Sequence, residues 1–203
     1  FRKMGKRNGE SVMIRIKNGR DMDPANNIDE ITDVWIEDGR IAGYVRTYTD
    51  RRPSETIHAD GCIVALGLVD VHVHFRDPGL TQKEDFKTGS QAAACGGFAT
   101  VIDMPNTLPK TNTYKALKEK MDIASKKSVV NFYLQAGHNS LDEMKKMMEL
   151  NPISFKVFMD LETDESLEDI FHNLGVLKQY TSYNGLIATH CEKRSIVSEE
   201  TER

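Results

Sequence analysis

The chain has 203 residues, 39% hydrophobic and 29% charged, with a formal net charge of −4. This is the composition of a globular protein long enough to bury a sizeable core, and the lack of a basic stripe argues against a nucleic-acid partner. No run of 18 apolar residues occurs and Phe1 to Glu10 is basic and polar, so neither a membrane span nor a secretory leader is expected.

The three cysteines, Cys62, Cys95 and Cys191, stand far apart with no CxxC pair. That sparse, odd count argues for a reducing, cytoplasmic setting rather than a disulfide framework. Cys62 and Cys95 read as small apolar filler.

Residues 1–66 read as short strands with tight turns, the first part of a small β-sandwich. Val12 to Ile16 alternates and meets Asn18-Gly19, a hairpin signal. Asp33 to Ile36 runs to a second such signal, Asp38-Gly39, after which Arg40 to Val45 resumes. Thr56 to Ala59 and Cys62 to Ala65 are two further extended pieces. The module is too small to close a sandwich without strands from elsewhere.

From residue 67 to 203 the texture changes to alternating strands and helices. Apolar strands are expected at 68–73, 99–103, 129–135, 154–159 and 185–190, beginning roughly every 25–31 residues, the repeat of βα units. Thr81 with Glu84 and Ser140 with Glu143 fit capping boxes, and Ser166 with Asp169 fits more weakly. Met144, Met147 and Met148 follow at helical spacing, which predicts a helix face packed on a sheet. Gly96-Gly97 precedes a strand instead of following one, so a dinucleotide fingerprint is absent. The expectation is an α/β protein with the first five βα units of a (β/α)8 barrel. Eight strands close such a barrel, so the chain is expected to be cut short.

Three segments carry chemistry. In Val71-His72-Val73-His74-Phe75-Arg76-Asp77-Pro78-Gly79, the two histidines project from the same face of a strand. They end the first barrel strand, where barrel enzymes place catalytic groups. Two imidazoles so spaced either grip one divalent ion or fill the barrel as structural histidines. Ser154-Phe155-Lys156-Val157-Phe158-Met159 is an apolar strand with a lysine inside it. Burial disfavours the ammonium, and a neutral amine reacts with CO₂ to give a carbamate able to bridge two cations. The alternative is a lysine that snorkels to the rim or pairs with an acid. Ile187-Ala188-Thr189-His190-Cys191-Glu192 closes the fifth strand with a histidine. Taken alone, a histidine there is more often structural.

Together these segments resemble the cyclic amidohydrolases, the family of dihydroorotases, allantoinases, hydantoinases and dihydropyrimidinases. The resemblance covers about residue 60 to the end, and residues 1–66 suit the family's small sandwich domain. It implies metal roles for His72, His74, Lys156 and His190, with two divalent ions, Zn²⁺ by expectation, a bridging hydroxide and a carbamate on Lys156. Within the family, His74-Phe75-Arg76-Asp77-Pro78-Gly79 and Asp103-Met104-Pro105-Asn106-Thr107 resemble the two motifs of dihydroorotases. That likeness implies that Arg76 and Asn106 bind the substrate carboxylate, for which a planar guanidinium is suited. Many bacterial dihydroorotases have an aspartate in place of the lysine. Asp160, four residues on and able to share the strand face, is the fallback for Lys156.

His138 ends the third strand region and is expected to be structural, with a place lining the barrel mouth as the alternative; His58 and His172 are expected to lie on the surface. The implied reaction is reversible hydrolysis of L-dihydroorotate to N-carbamoyl-L-aspartate in pyrimidine synthesis. The alternatives are another cyclic amidase (hydantoinase, dihydropyrimidinase or allantoinase) and a non-catalytic scaffold homologue. The family's general-base aspartate on the eighth strand and a histidine on the sixth have no counterpart within 203 residues. Glu199, Glu200 and Glu202 fit no strand end. No catalytic base is therefore assigned, and the 203 residues alone are expected to be inactive. Expected partners are a small-molecule substrate, a second copy in a homodimer and a transcarbamoylase.

Overall fold

In the computed structural model of the chain, the described residues are 12–44, 52–180, 185–192 and 196–197. The Phe1–Glu10 segment, Val45 and the late acids Glu199, Glu200 and Glu202 lie outside them. Two compact units divide the chain, Phe1–Gly67 and Leu68–Arg203.

In the first unit, β1 (Met13–Asp23) pairs antiparallel with β2 (Ile28–Glu37), and β2 pairs antiparallel with β3 (Arg40–Tyr44). The other side of β1 takes β4 (Glu55–His58) and β5 (Ile63–Ala65), both parallel to it. Among the described residues this unit is one five-stranded sheet. Met13, Ile14, Val34 and Trp35 are buried, the two members of each neighbouring pair on opposite faces of their strand.

Asp38 (φ 49°) and Gly39 (φ 81°) form the expected β2–β3 turn, two left-handed residues as a primed turn requires. Asn18-Gly19 is not a turn. β1 runs straight through it with a register shift between Ile16 and Gly19, and the chain reverses later, at Pro24–Asn26. Asn18 takes the left-handed conformation (φ 58°) inside a bulge, where its N–H donates to Asp33 Oδ1 at 2.9 Å. Gly19 is required there for space, since a Cβ would lie 2.4 Å from a Val64 methyl.

The second unit is a parallel sheet of β6 (Leu68–Val73), β7 (Phe98–Asp103), β8 (Asn131–Gly137), β9 (Ser154–Phe158) and β10 (Leu186–His190). Each strand neighbours the next in chain order. That unreversed order is the winding of a barrel, whereas a doubly wound sheet reverses direction. The crossovers carry α1 (Phe86–Cys95), α2 (Tyr114–Lys127), α3 (Leu141–Met148) and α4 (Asp164–Tyr180). Phe75, Phe86, Leu117, Met144, Met147, Phe155 and Leu174 belong to one buried cluster of sheet and helix residues. Each such side chain contributes about 1.5–3 kcal/mol through burial.

Three helix starts differ from expectation. Asp85, not Thr81, caps α1, accepting from the N–H groups of Lys87 and Thr88, both at 2.8 Å. Thr81 to Lys83 are held in a preceding turn by the bond from Lys83 N to Leu80 O. Ser140 does cap α3, but Glu143 turns away to accept from Tyr114 N at 2.7 Å, supporting the start of α2 instead. At α4 the reciprocal pair is Thr163 with Ser166, whose N–H groups donate to each other's hydroxyls. Cys62 and Cys95 are exposed, not core filler. Cys62 follows the turn at Gly61, and Cys95 sits half a helical turn round from buried Phe86. No helix among the described residues is long and apolar enough to cross a membrane.

Candidate metal centre

His72 lies near the end of β6 and His74 just beyond it, so strand alternation turns both rings one way. Their centroids are 5.1 Å apart and their Nε2 atoms 3.2 Å apart. Two ligands at about 2.1 Å from one tetrahedral ion stand about 3.4 Å from each other. The pair therefore fits one divalent ion with a shift of a few tenths of an ångström. His74 Nδ1 is 2.8 Å from Asn106 Oδ1, which as an acceptor draws the ring proton to Nδ1 and leaves the Nε2 lone pair free.

Lys156, in the middle of β9, is 4% exposed, and its Nζ is 5.1 Å from the centre of the Phe158 ring. Burial holds its amine below the ordinary lysine pKa, with Cys191 opposing. His190 is the last residue of β10, and its Nε2 lies 3.1 Å from Glu192 Oε1. Burial also lowers the pKa of His72, followed by the nearby charges of His74, Lys156 and His190 against an opposing Asp70. His72, His74, Lys156 and His190 line one cavity of about 550 Å³. Among the described residues no three His, Cys, Asp or Glu side chains gather to hold a metal. The donor set is instead two close imidazoles, a buried amine and a third imidazole.

Asp160 does not share the β9 face. The strand stops at Phe158, and Asp160 sits in the 3-10 turn Met159–Leu161. It reaches the same cavity from there, with Oδ1 buried and without a hydrogen-bond partner among the described residues.

Arg76 and Asn106 line the cavity on loops after β6 and β7. Arg76 holds the left-handed conformation (φ 60°), a strained state for a long side chain, and its carbonyl accepts from Leu80 N. Its guanidinium has no ion pair or hydrogen bond among the described residues. Gly79 (φ 87°) lets the two loops touch, since a Cβ there would lie 2.0 Å from Leu108 O. Beneath the loops, buried Asp103 accepts from Phe75 N at 2.7 Å and pairs with Lys120 at 2.6 Å. Lys120, itself fully buried, also donates to Met104 O at 2.6 Å.

His138 is not merely a packing residue, for it too lines the cavity, with Nε2 3.1 Å from Glu162 Oε1. His58 and His172 are exposed, as expected. Reading the sequence missed Lys110, Asn112 and Glu162 in the cavity wall, and the Asp103–Lys120 pair beneath it. The cavity residues lie in polar loops without a pattern. Lys120 left a trace, because Ala116, Lys120 and Ala124 recur every fourth residue on the buried stripe of α2.

The chain belongs to the amidohydrolase family, whose sequence model matches residues 63–190, the stretch holding His72, His74, Arg76, Asn106, Lys156 and His190. Its similar curated relatives include the dihydroorotase of Methanothermobacter thermautotrophicus, 43% identical over 83% of this chain and 38% of that protein. The dihydroorotase of Streptococcus pneumoniae is 41% identical over 70% of this chain and 35% of that protein. The chain thus spans little more than a third of the length of these relatives. Among solved structures, the L-hydantoinase (dihydropyrimidinase) of Arthrobacter aurescens matches 93% of this chain and 43% of its own, with TM-score 0.79 and 30% identity. A D-hydantoinase matches 94% and 42%, with TM-score 0.74 and 26% identity. The second unit is accordingly part of a (β/α) barrel.

Proposed function

We propose that the intact protein is a dihydroorotase, opening and closing the ring amide between L-dihydroorotate and N-carbamoyl-L-aspartate in pyrimidine synthesis. The carrying observation is the Arg76 guanidinium, unpaired among the described residues, in the cavity that Asn106, His72 and His74 also line. A guanidinium lining a cavity suits an anionic ligand, and its planar fork suits a carboxylate. The dihydroorotase names of the relatives support the same reading.

His72, His74, a carbamate on Lys156, and His190 would hold two divalent ions, Zn²⁺ by expectation. Such ions supply Lewis acidity and a water nucleophile at neutral pH. The chain's own residues bind and orient. Arg76 and Asn106 hold the substrate carboxylate and so aim the ring amide at the paired imidazoles. Burial lowers the pKa of the Lys156 amine, which favours the neutral form that takes up CO₂. In hydrolysis the ring C–N bond breaks, the carbonyl carbon gains a hydroxyl and the nitrogen gains a proton. The same reading makes the protein cytoplasmic, with a homodimer and a transcarbamoylase as candidate partners. It also assigns the chemistry to the unit from residue 67 onward.

A second reading, a hydantoinase, is favoured by the structural match to the Arthrobacter enzyme. Arg76→Met separates the two. Losing a charge-assisted bond worth about 1.5–3 kcal/mol should cut kcat/KM on dihydroorotate about 10- to 100-fold. Turnover of an uncharged hydantoin should change little. Wild-type preference for hydantoin, or an Arg76→Met variant with unchanged kcat/KM on dihydroorotate, would overturn the proposal. Near-zero bound metal in the intact protein would favour the scaffold homologue.

A further inference from the structure

Asn106 faces two ways. Its Oδ1 is 2.8 Å from His74 Nδ1, while its Nδ2 makes no hydrogen bond among the described residues and the side chain lines the cavity. An amide has one accepting and one donating end, and here the accepting end is spent on an imidazole N–H. That bond holds the proton of His74 on Nδ1, and Nε2 then presents a lone pair toward His72 Nε2, 3.2 Å away. The donating end remains for an anion.

We infer that Asn106 is a positioning residue for His74 as well as a contact for the ligand carboxylate, so that one side chain joins the two sites. The inference rests on the dihydroorotase reading. The acceptor fixes the tautomer and the angle of the ring that must meet the metal, an outer-shell contact whose loss typically weakens metal affinity about 10–100-fold. His72 has no such arrangement. Among the described residues its one bond to an acid runs from its backbone N–H to Asp70 Oδ1, and its ring meets His74. Met104 N donates to Val73 O, tying the end of β7 to the end of β6, and Thr107 N donates to Pro105 O within the loop that carries the amide.

Two variants of the intact protein separate the roles. Asn106→Asp keeps the acceptor and removes the donor, so Zn²⁺ affinity should stay at wild type or rise while binding of dihydroorotate falls. Asn106→Ala removes both, so Zn²⁺ affinity should fall about 10- to 100-fold and ligand binding with it. Zn²⁺ affinity is measured by competition with a chromophoric chelator, and thermal melting checks that both variants fold. Imidazole ¹⁵N NMR of the metal-free protein gives a second readout. His74 should carry its proton on Nδ1 in wild type and Asn106→Asp, and shift toward Nε2 in Asn106→Ala. A folded Asn106→Ala with wild-type Zn²⁺ affinity, or a His74 protonated on Nε2 in wild type, overturns the inference while leaving the dihydroorotase reading intact. A wild-type protein that binds Zn²⁺ but turns over hydantoin in place of dihydroorotate overturns the reading of the ligand, and the Zn²⁺ and NMR results then still decide the positioning role.

Discussion

Replacing Lys120 by Met tests how the second unit supports its cavity. Lys120 and Asp103 are both fully buried, with 2.6 Å between Nζ and Oδ2. Burial is the largest influence on Lys120 and lowers its pKa, while Asp103 and Asp77 oppose it. The methionine fills nearly the same volume but leaves the Asp103 carboxylate buried with one remaining donor among the described residues, Phe75 N. Breaking one half of a buried pair costs about 3–5 kcal/mol. Against a total stability of about 5–15 kcal/mol, that is a large shift in the urea midpoint. The double variant Lys120→Met with Asp103→Asn removes the orphaned charge and keeps an acceptor for Phe75 N, so it should be clearly more stable than the single variant. Because Phe75 lies between His74 and Arg76, the single variant should also bind Zn²⁺ more weakly. A Lys120→Met protein within 1 kcal/mol of wild type, or a double variant no better than the single, would refute the reasoning.

Two further outcomes are expected. Metal-stripped protein reconstituted with Zn²⁺ in CO₂-depleted buffer should reach lower occupancy than with added bicarbonate, and Lys156→Met should abolish that dependence. If Asp160 is the bridging ligand instead, bicarbonate will have no effect and Asp160→Ala will lose the metal. The Asp85 carboxyl is held below the ordinary aspartate range, chiefly by the Thr88 backbone N–H. Its contribution is therefore complete above the unfolded value near about 4 and is lost as pH falls through the lowered folded value. Asp85→Ala should cost about 1 kcal/mol at pH 7 and markedly less at pH 3, read from denaturation midpoints at the two pH values.

Local pattern alone determined much of this protein. Strand and helix positions from Leu68 to His190 follow from apolar runs at a regular spacing, because each βα unit must bury one face of a strand and one stripe of a helix. The placing of His72 and His74 on one side followed from the period of a strand, which needs no knowledge of neighbours. Where several local choices competed, only the tertiary structure decided. Asn18-Gly19 carries the residues of a turn, yet Asp33 from the adjacent strand supplies the acceptor that makes it a bulge. Glu143 suits a capping box on its own helix, but it accepts from Tyr114 N on another, while Ser140 N donates to Asn139 Oδ1. Asp160 looked like a strand residue until β9 gave way to a 3-10 turn at Met159.

The amide of Asn106 on His74, the Asp103–Lys120 pair under Phe75 and the pairing of His138 with Glu162 join residues 17 to 32 positions apart. Such contacts carry no periodic signal. They exist only because parallel strands in chain order bring the ends of successive βα units to one side of the sheet.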